Sequence, residues 1–178
     1  MSTHPGPKLS PTSYVVLGLL AAAGAATPYE LERLVETSLG HFWSFPHSQL
    51  YSEPVRLVGL GLLAEQREAA GRRRRVYRLT DSGREALQGW LAEPAGTSTE
   101  IRDLGLLKLF FGSSAAAPGD VTASAAAQVA THVTCLATFE ELAALDLDPH
   151  VRATLRLGIA YEQAAVAFWK SVAQSGPP

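Results

Sequence analysis

The segment from Ser44 to Leu79, SFPHSQLYSEPVRLVGLGLLAEQREAAGRRRRVYRL, restricts the possible folds more than any other part of the chain. It opens with a short helical pattern, His47 to about Val58, with a thin apolar stripe and a polar opposite face. Gly59 and Gly61 follow, and glycine turns a chain at positive φ without steric cost. Two strand-like runs come next, Leu62–Glu68 and Val76–Leu79, joined by Ala69-Ala70-Gly71 and four consecutive arginines, Arg72 to Arg75. A polar-faced helix followed by a basic hairpin is the combination a winged helix-turn-helix needs. The helix enters the major groove and the hairpin reaches the neighbouring phosphates. The expected fold class is mainly α with a small β-hairpin wing.

The helix can be read by angle, at about 100° per residue. Leu50, Pro54 and Leu57 share the face toward a core, while Ser48, Ser52 and Val55 point away, flanked by Gln49, Tyr51 and Arg56. Hydroxyls, an amide, a phenol and a guanidinium all suit base edges and phosphates. A solvated helix face carries the same residue types, so it is the arginine hairpin that favours DNA. Pro54 lacks the amide that would bond to the Leu50 carbonyl, and a bend or an early loosening is expected there. The net charge is only −2, but it is unevenly placed: residues 1–93 sum to +1 and residues 94–178 to −3. Six arginines, Arg67, Arg72, Arg73, Arg74, Arg75 and Arg78, fall within twelve residues. Contact with nucleic acid should therefore be focused on the wing.

The segments before the wing helix complete a helical scaffold. Residues 1–9 carry prolines and a glycine without periodicity and read as a flexible arm. Ser10-Pro11 caps a first helix to about Ala23, apolar nearly all round, that Gly24 ends. Its run Tyr14–Ala26 imitates a secretory signal. It is too short to span a membrane, and the DNA-binding pattern needs it as a buried helix. Thr27-Pro28-Tyr29-Glu30 is a capping box for a second helix to Leu39, with Leu31, Leu34, Val35 and Leu39 inward. The connector His41–Pro46 holds Phe42, Trp43 and Phe45, which fill a gap between helices or line a ligand pocket. After the wing, Thr80 caps a fourth helix to about Ala92, with Leu87 and Leu91 inward and Trp90 beside them. Ala95–Thr99 has the composition of a linker. The expected division is 1–9 arm, 10–94 winged helix-turn-helix, and 95–178 a helical domain.

That second part reads as three helices: Glu100–Gly112 with Ile101, Leu104, Leu107, Phe110 and Phe111 on one face; Pro118 to about Leu145 with Val121, Val129, Val133, Leu136, Phe139 and Leu142; and one capped by Asp148-Pro149 that runs to about Gln174. In the last helix Val151, Leu155, Gly158, Glu162, Ala165, Trp169 and Val172 follow the alternating spacing of a helix that packs along a partner. One wing and one helix read half a site, so two subunits are expected on a palindromic operator, and this seam is the expected dimer contact. Glu162 interrupts it with a carboxylate, for which the plain reading is an arginine partner, from either subunit.

Taken in order, YVVLGLL, PYEL, FW, HSQLY, GLL, RVYRLTDSGREAL, LLKLFF and GIAYEQAAVAFW resemble the PadR family of bacterial transcriptional regulators, in its longer-tailed form, over roughly Tyr14 to Val172. The resemblance implies a dimeric winged-helix repressor with a helical C-terminal dimerisation domain, relieved by a small molecule or a stress signal. Carried onto this chain, it implies DNA contacts from Ser48, Gln49 and Tyr51, with the wing arginines, Arg72 to Arg75, on the backbone; Tyr29, His47, Ser52 and Arg56 are further candidates for DNA contact. Trp43, Trp90 and Glu162 are the candidates for an effector. The family often has proline directly after the tyrosine of this helix; here that residue is Ser52, and Pro54 stands where leucine is usual.

Two other classes fit the chain less well. A winged-helix module for protein–protein interaction is disfavoured by four adjacent arginines, which a protein interface rarely keeps unpaired. An enzyme has no support: His4, His41, His47, His132 and His150 lack metal-ligand spacing, and no phosphate-cradling loop or nucleophile motif occurs. Cys135 stands alone in an alanine-rich helix, which suits a buried structural thiol and a reducing cytoplasm. No cofactor, metal or membrane partner is expected.

Overall fold

The computed structural model describes residues 8–38, 40, 43, 46, 48–67, 74–96 and 101–175. The chain divides into two compact units, Met1–Thr97 and Ser98–Pro178.

In the first unit, α1 (Pro11–Ala23) starts at Ser10, whose hydroxyl accepts from the Ser13 amide while Ser13 returns the bond to the Ser10 amide. It ends at Gly24, with φ of 76°. In α2 (Pro28–Glu36) the Thr27 hydroxyl accepts from the Glu30 amide and the Glu30 carboxylate from the Thr27 amide. Each such cap is worth about 1 kcal/mol. α2 stops at Glu36, short of the Leu39 expected from sequence, a residue outside those described. α3 (Gln49–Gly59) begins after His47, also outside the described residues, and buries Leu50, Pro54 and Leu57 as the angular reading requires. The expected loosening at Pro54 does not occur: the helix continues through Gly59, because the ring is packed in the core and the missing amide bond is one of several in that turn.

Gly61, at φ 73°, turns the chain into β1 (Leu63–Arg67), which pairs antiparallel with β2 (Arg75–Leu79) from Leu63 opposite Leu79 to Arg67 opposite Arg75. Ala26 adds a single antiparallel bridge to Tyr77 on the far side of β2. α4 (Asp81–Ala92) is capped by the Thr80 hydroxyl, which also donates to the Gly61 carbonyl. Val16, Leu17 and Leu20 of α1 form the centre of the core, closed by Leu31, Val35, Leu50, Leu57, Leu62, Leu63, Tyr77 and Leu87. The segment that imitates a secretory signal is this central helix. Leu91, expected inward, is 66% exposed, since α4 places only Gly83 and Leu87 against the core.

In the second unit α5 is shorter than expected, Leu104–Phe110, because the Asp103 carboxylate caps it by accepting from the Gly105 and Leu106 amides. A turn of 3-10 helix at Gly112–Ser114 leads to α6 (Pro118–Ala143), and a short connection to α7 (Pro149–Ser175). Ala125 of α6 packs with Trp169 and Val172 near the end of α7, so the two helices run antiparallel. The seam expected to meet a partner subunit is therefore covered from within the chain: Trp169 and Val172 are core, Ala165 packs on them, and Gly158 lies against the Phe139 ring. Val151, at the start of that seam, is exposed. Val133, Ile101, Leu104, Leu107, Phe110 and Phe111, which mark apolar faces of their helices in the sequence, are also exposed.

Gly83 carries a consequence of the N-terminal packing. A Cβ built there falls 2.1 Å from the Leu62 carbonyl oxygen, a backbone atom with little freedom to move. Gly83→Ala should destabilise the unit by at least the ~1–3 kcal/mol usual for overpacking. Urea titration followed by circular dichroism measures this; an unchanged midpoint would mean that α4 shifts at no cost.

Candidate nucleic-acid interface

Two elements present polar and cationic groups to solvent in the first unit. α3 exposes Ser48, Tyr51, Ser52, Val55 and Arg56, with Gln49 half-buried. The hairpin exposes Arg67, Arg74, Arg75 and Arg78. Tyr29, at the start of α2, is exposed as well. His47, Arg72 and Arg73 lie outside the described residues.

The α3 side chains are held from behind, a feature that sequence reading missed. The Thr12 hydroxyl donates to Gln49 Oε1 at 2.8 Å. The Tyr51 hydroxyl donates to Glu32 Oε2 at 2.7 Å. Arg56 grips Glu53 with two nitrogens, Nε at 2.9 Å and Nη2 at 2.6 Å, and Nη2 also reaches the buried Ser13 hydroxyl, which donates to Glu53. Arg56 is thus committed to Glu53 on its own helix and to Ser13 on α1. The spacing of three between Glu53 and Arg56 was the available signal for that pair; nothing in sequence reveals Thr12, Ser13 or Glu32 as supports, because they come from other helices.

In the wing, Glu65 draws on three neighbours: Arg67 Nε at 3.0 Å, Arg75 Nη1 at 3.7 Å and the Tyr77 hydroxyl at 3.4 Å. The Arg67 hydrogen bond, joined by the charges of Arg75 and Arg67 and the Tyr77 hydroxyl, outweighs burial and holds its carboxyl below the usual range. Arg67 and Arg75 are consequently part-neutralised. Arg74 lies near enough to Glu30 to favour that carboxylate, though the bonds from Thr27 dominate there.

Of the effector candidates, Trp43 and Trp90 belong to the first unit and Glu162 to the second. Trp43 is exposed, and the Trp90 ring is stacked on Tyr14 at 4.5 Å, 8° from parallel. Glu162 belongs to the second unit, where Oε2 meets His132 Nδ1 at 2.6 Å, with Glu162 buried and His132 half-buried; its partner is this histidine, not an arginine. His132 Nε2 is buried and has no hydrogen-bond partner among the described residues. Burial first, then the nearby Glu162, pushes the Cys135 thiol up to about 11, which makes it a poor nucleophile. A cavity of about 610 Å³ opens among α5, the following turn, α6 and α7, lined by Leu107, Lys108, Phe111, Val121, Ser124 and Trp169 among others. None of the three effector candidates lines it. Among the described residues no group of histidines, cysteines and carboxylates could hold a metal ion.

A polar-faced helix beside an arginine-bearing hairpin, on a three-helix core, defines a winged helix-turn-helix protein. The family model of the PadR-like transcriptional regulators matches residues 16–89, and that of the virulence activator alpha C-terminal region matches residues 101–175. The probable transcriptional regulator Rv1176c of Mycobacterium tuberculosis is 31% identical over 171 residues, 85% of this chain and 90% of that protein. The negative transcriptional regulator PadR of Bacillus subtilis is 33% identical over 100 residues, which span 55% of this chain and only 54% of that protein. The crystal structure of Bacillus subtilis PadR in complex with operator DNA has a TM-score of 0.81 at 23% identity, over 94% of this chain and 98% of that one. The structure of that protein with p-coumaric acid has a TM-score of 0.73 at 24% identity, over 93% and 97%. The chain belongs to the PadR-like family of transcriptional regulators.

The Glu53 cluster predicts a pH dependence. Burial raises the Glu53 carboxyl, but the hydrogen bonds from Arg56 and Ser13 and the charge of Arg56 outweigh it and hold the group below the usual 4.5. A carboxyl depressed by folding stabilises above its unfolded value and loses that contribution as pH falls. The first unit should weaken as pH drops below about 4.5. Glu53→Gln should flatten that fall and lower stability at neutral pH. Urea midpoints at both pH values decide it: the same slope in the variant removes Glu53 as a cause.

Proposed function

We propose that the chain is a dimeric repressor that binds a palindromic operator in the cytoplasm and releases it on meeting a small molecule or a stress signal. The observation that carries this reading is the exposed polar face of α3 standing with the arginine-bearing hairpin on one rigid core. Bacillus subtilis PadR supports it, being a negative transcriptional regulator that has been solved on operator DNA. Among the described residues no helix is long and apolar enough to cross a membrane. For an effector, the cavity beside Trp169 offers mostly apolar walls with one ammonium, Lys108, and one carboxylate, Asp120, which suits a small apolar molecule bearing a polar group. Capture of genomic fragments by the purified protein, followed by sequencing, tests operator binding; recovery of no enriched fragment would reject it.

The wing should act through phosphates. Arg74→Ala with Arg75→Ala should weaken binding to all sequences alike and reduce the log–log salt slope by about 0.9 for each phosphate no longer neutralised. Fluorescence anisotropy at several salt concentrations measures the slope. A constant slope with altered sequence preference would make the wing a reader of bases.

The dimer contact moves to a different face of α7. With the former seam turned onto α6, Leu157, Tyr161 and Phe168 are exposed and lie within about 40° of one another around the helix. Exposed apolar residues grouped on one face favour a protein partner, and a second copy satisfies the two half-sites of an operator. Leu157→Asp with Phe168→Asp should give a monomer in sedimentation velocity, with weakened operator affinity and unchanged helical content. Retention of a dimer as tight as the parent would place the contact elsewhere.

A further inference from the structure

We propose that Glu32 sets the polarity with which Tyr51 meets DNA, by accepting the phenol's only O–H and leaving the tyrosine to read a base as a hydrogen-bond acceptor. This rests on the reading that α3 enters the major groove. Tyr51 stands in the first turn of α3, the part of a recognition helix that reaches base edges. Its ring is 47% exposed, yet its hydroxyl is bonded to Glu32 Oε2 at 2.7 Å. Glu32 does not swing freely into that position. It lies on α2, which is pinned by the Thr27–Glu30 caps and by the buried Leu31 and Val35.

A phenol has one proton to donate and lone pairs to accept with, whereas an ionised carboxylate only accepts. With the proton committed to Glu32, Tyr51 has no donor left for a phosphate oxygen, guanine O6 or N7, or thymine O4. It can still accept from the amino group of adenine N6 or cytosine N4 in the major groove. The hydrogen bond to Glu32, then slight burial, then the charges of Glu32, Tyr29 and Glu36 keep the phenol above its usual 10, so it keeps its proton at neutral pH. Glu32 is thus a positioning residue, acting through Tyr51.

The test uses the full-length protein and a randomised duplex library, from which parent, Glu32→Ala, Tyr51→Phe, the double variant and Glu36→Gln each select sequences. Glu36→Gln is the charge control, since Glu36 acts on Tyr51 through its charge. Tyr51→Phe should lose preference at one symmetric position in each half-site. Glu32→Ala should lose it at the same position, and the double variant should lose no more. At that position, replacing adenine by purine, or cytosine by 2-hydroxypyrimidine, removes the amino donor. That change should weaken the parent about five-fold or more and leave Tyr51→Phe unaffected. Glu36→Gln should keep the parent's preference. The inference is overturned if Glu32→Ala keeps the parent's preference, if Tyr51→Phe loses none, or if the parent ignores removal of the amino group. A parent that selects no sequence at all would instead overturn the DNA-binding reading on which the inference rests.

Discussion

The exchange of two backbone hydrogen bonds between Ala26 and Tyr77 is the contact on which the DNA-facing geometry depends. Tyr77 N–H donates to the Ala26 carbonyl at 2.9 Å, and Ala26 N–H donates to the Tyr77 carbonyl at 3.1 Å. A two-stranded hairpin is marginal by itself. Here the second strand is paired on both edges, and its central side chain, only 1% exposed, is part of the core that α1 centres. The wing is thereby a fixed extension of the helical core. The Leu62 carbonyl adds a second tie by accepting from the Thr80 amide, and the close approach of Gly83 to that same carbonyl locks α4 against the base of the hairpin. The spacing between α3 and the wing arginines therefore comes from the core, and DNA does not have to order it on binding.

The recognition face has a second constraint. Gln49, Tyr51 and Arg56 each already have a partner within the protein. Binding that broke these bonds would exchange one set of hydrogen bonds for another, with little net gain. Binding that keeps them uses only the remaining capacity of each group, and keeping them costs no side-chain ordering. The retained bonds limit what each residue can read. On the function proposed above, affinity then falls mostly to the hairpin arginines, since cations meeting phosphates supply the sequence-independent part of DNA binding.

The N-terminal unit was legible in the sequence because its signals are local. Ser10, Thr27 and Thr80 act on amides within three residues, Gly24 and Gly61 set positive φ at single positions, and the α3 stripe of Leu50, Pro54 and Leu57 has the helical period. The supports of the site were not legible, because Thr12, Ser13 and Glu32 become neighbours of α3 only through the tertiary fold. Pro54 shows a local rule overridden: burial of the ring in the core holds the helix through a position where propensity alone would end it. Leu91 shows the converse, since a regular helical spacing continued past the point where α4 leaves the core.

The last helix shows what periodicity can and cannot determine. The recurrence from Leu155 to Val172 identified correctly a face that packs along another helix, but it carries no information on which chain supplies that helix. An antiparallel neighbour joined by a short connection is the nearest candidate in any chain, and α6 fills that place. Gly158 then makes sense as the position where a Cβ would come within 2.9 Å of the Phe139 ring, and Glu162 as the partner of a histidine one helix away. With this face used internally, any association through α7 must draw on what remains outside. Leu157, Tyr161 and Phe168 do not stand out in the sequence because they fall between the seam positions. A helix with two apolar faces satisfies one within its own unit and leaves the other, with Leu157, Tyr161 and Phe168, exposed.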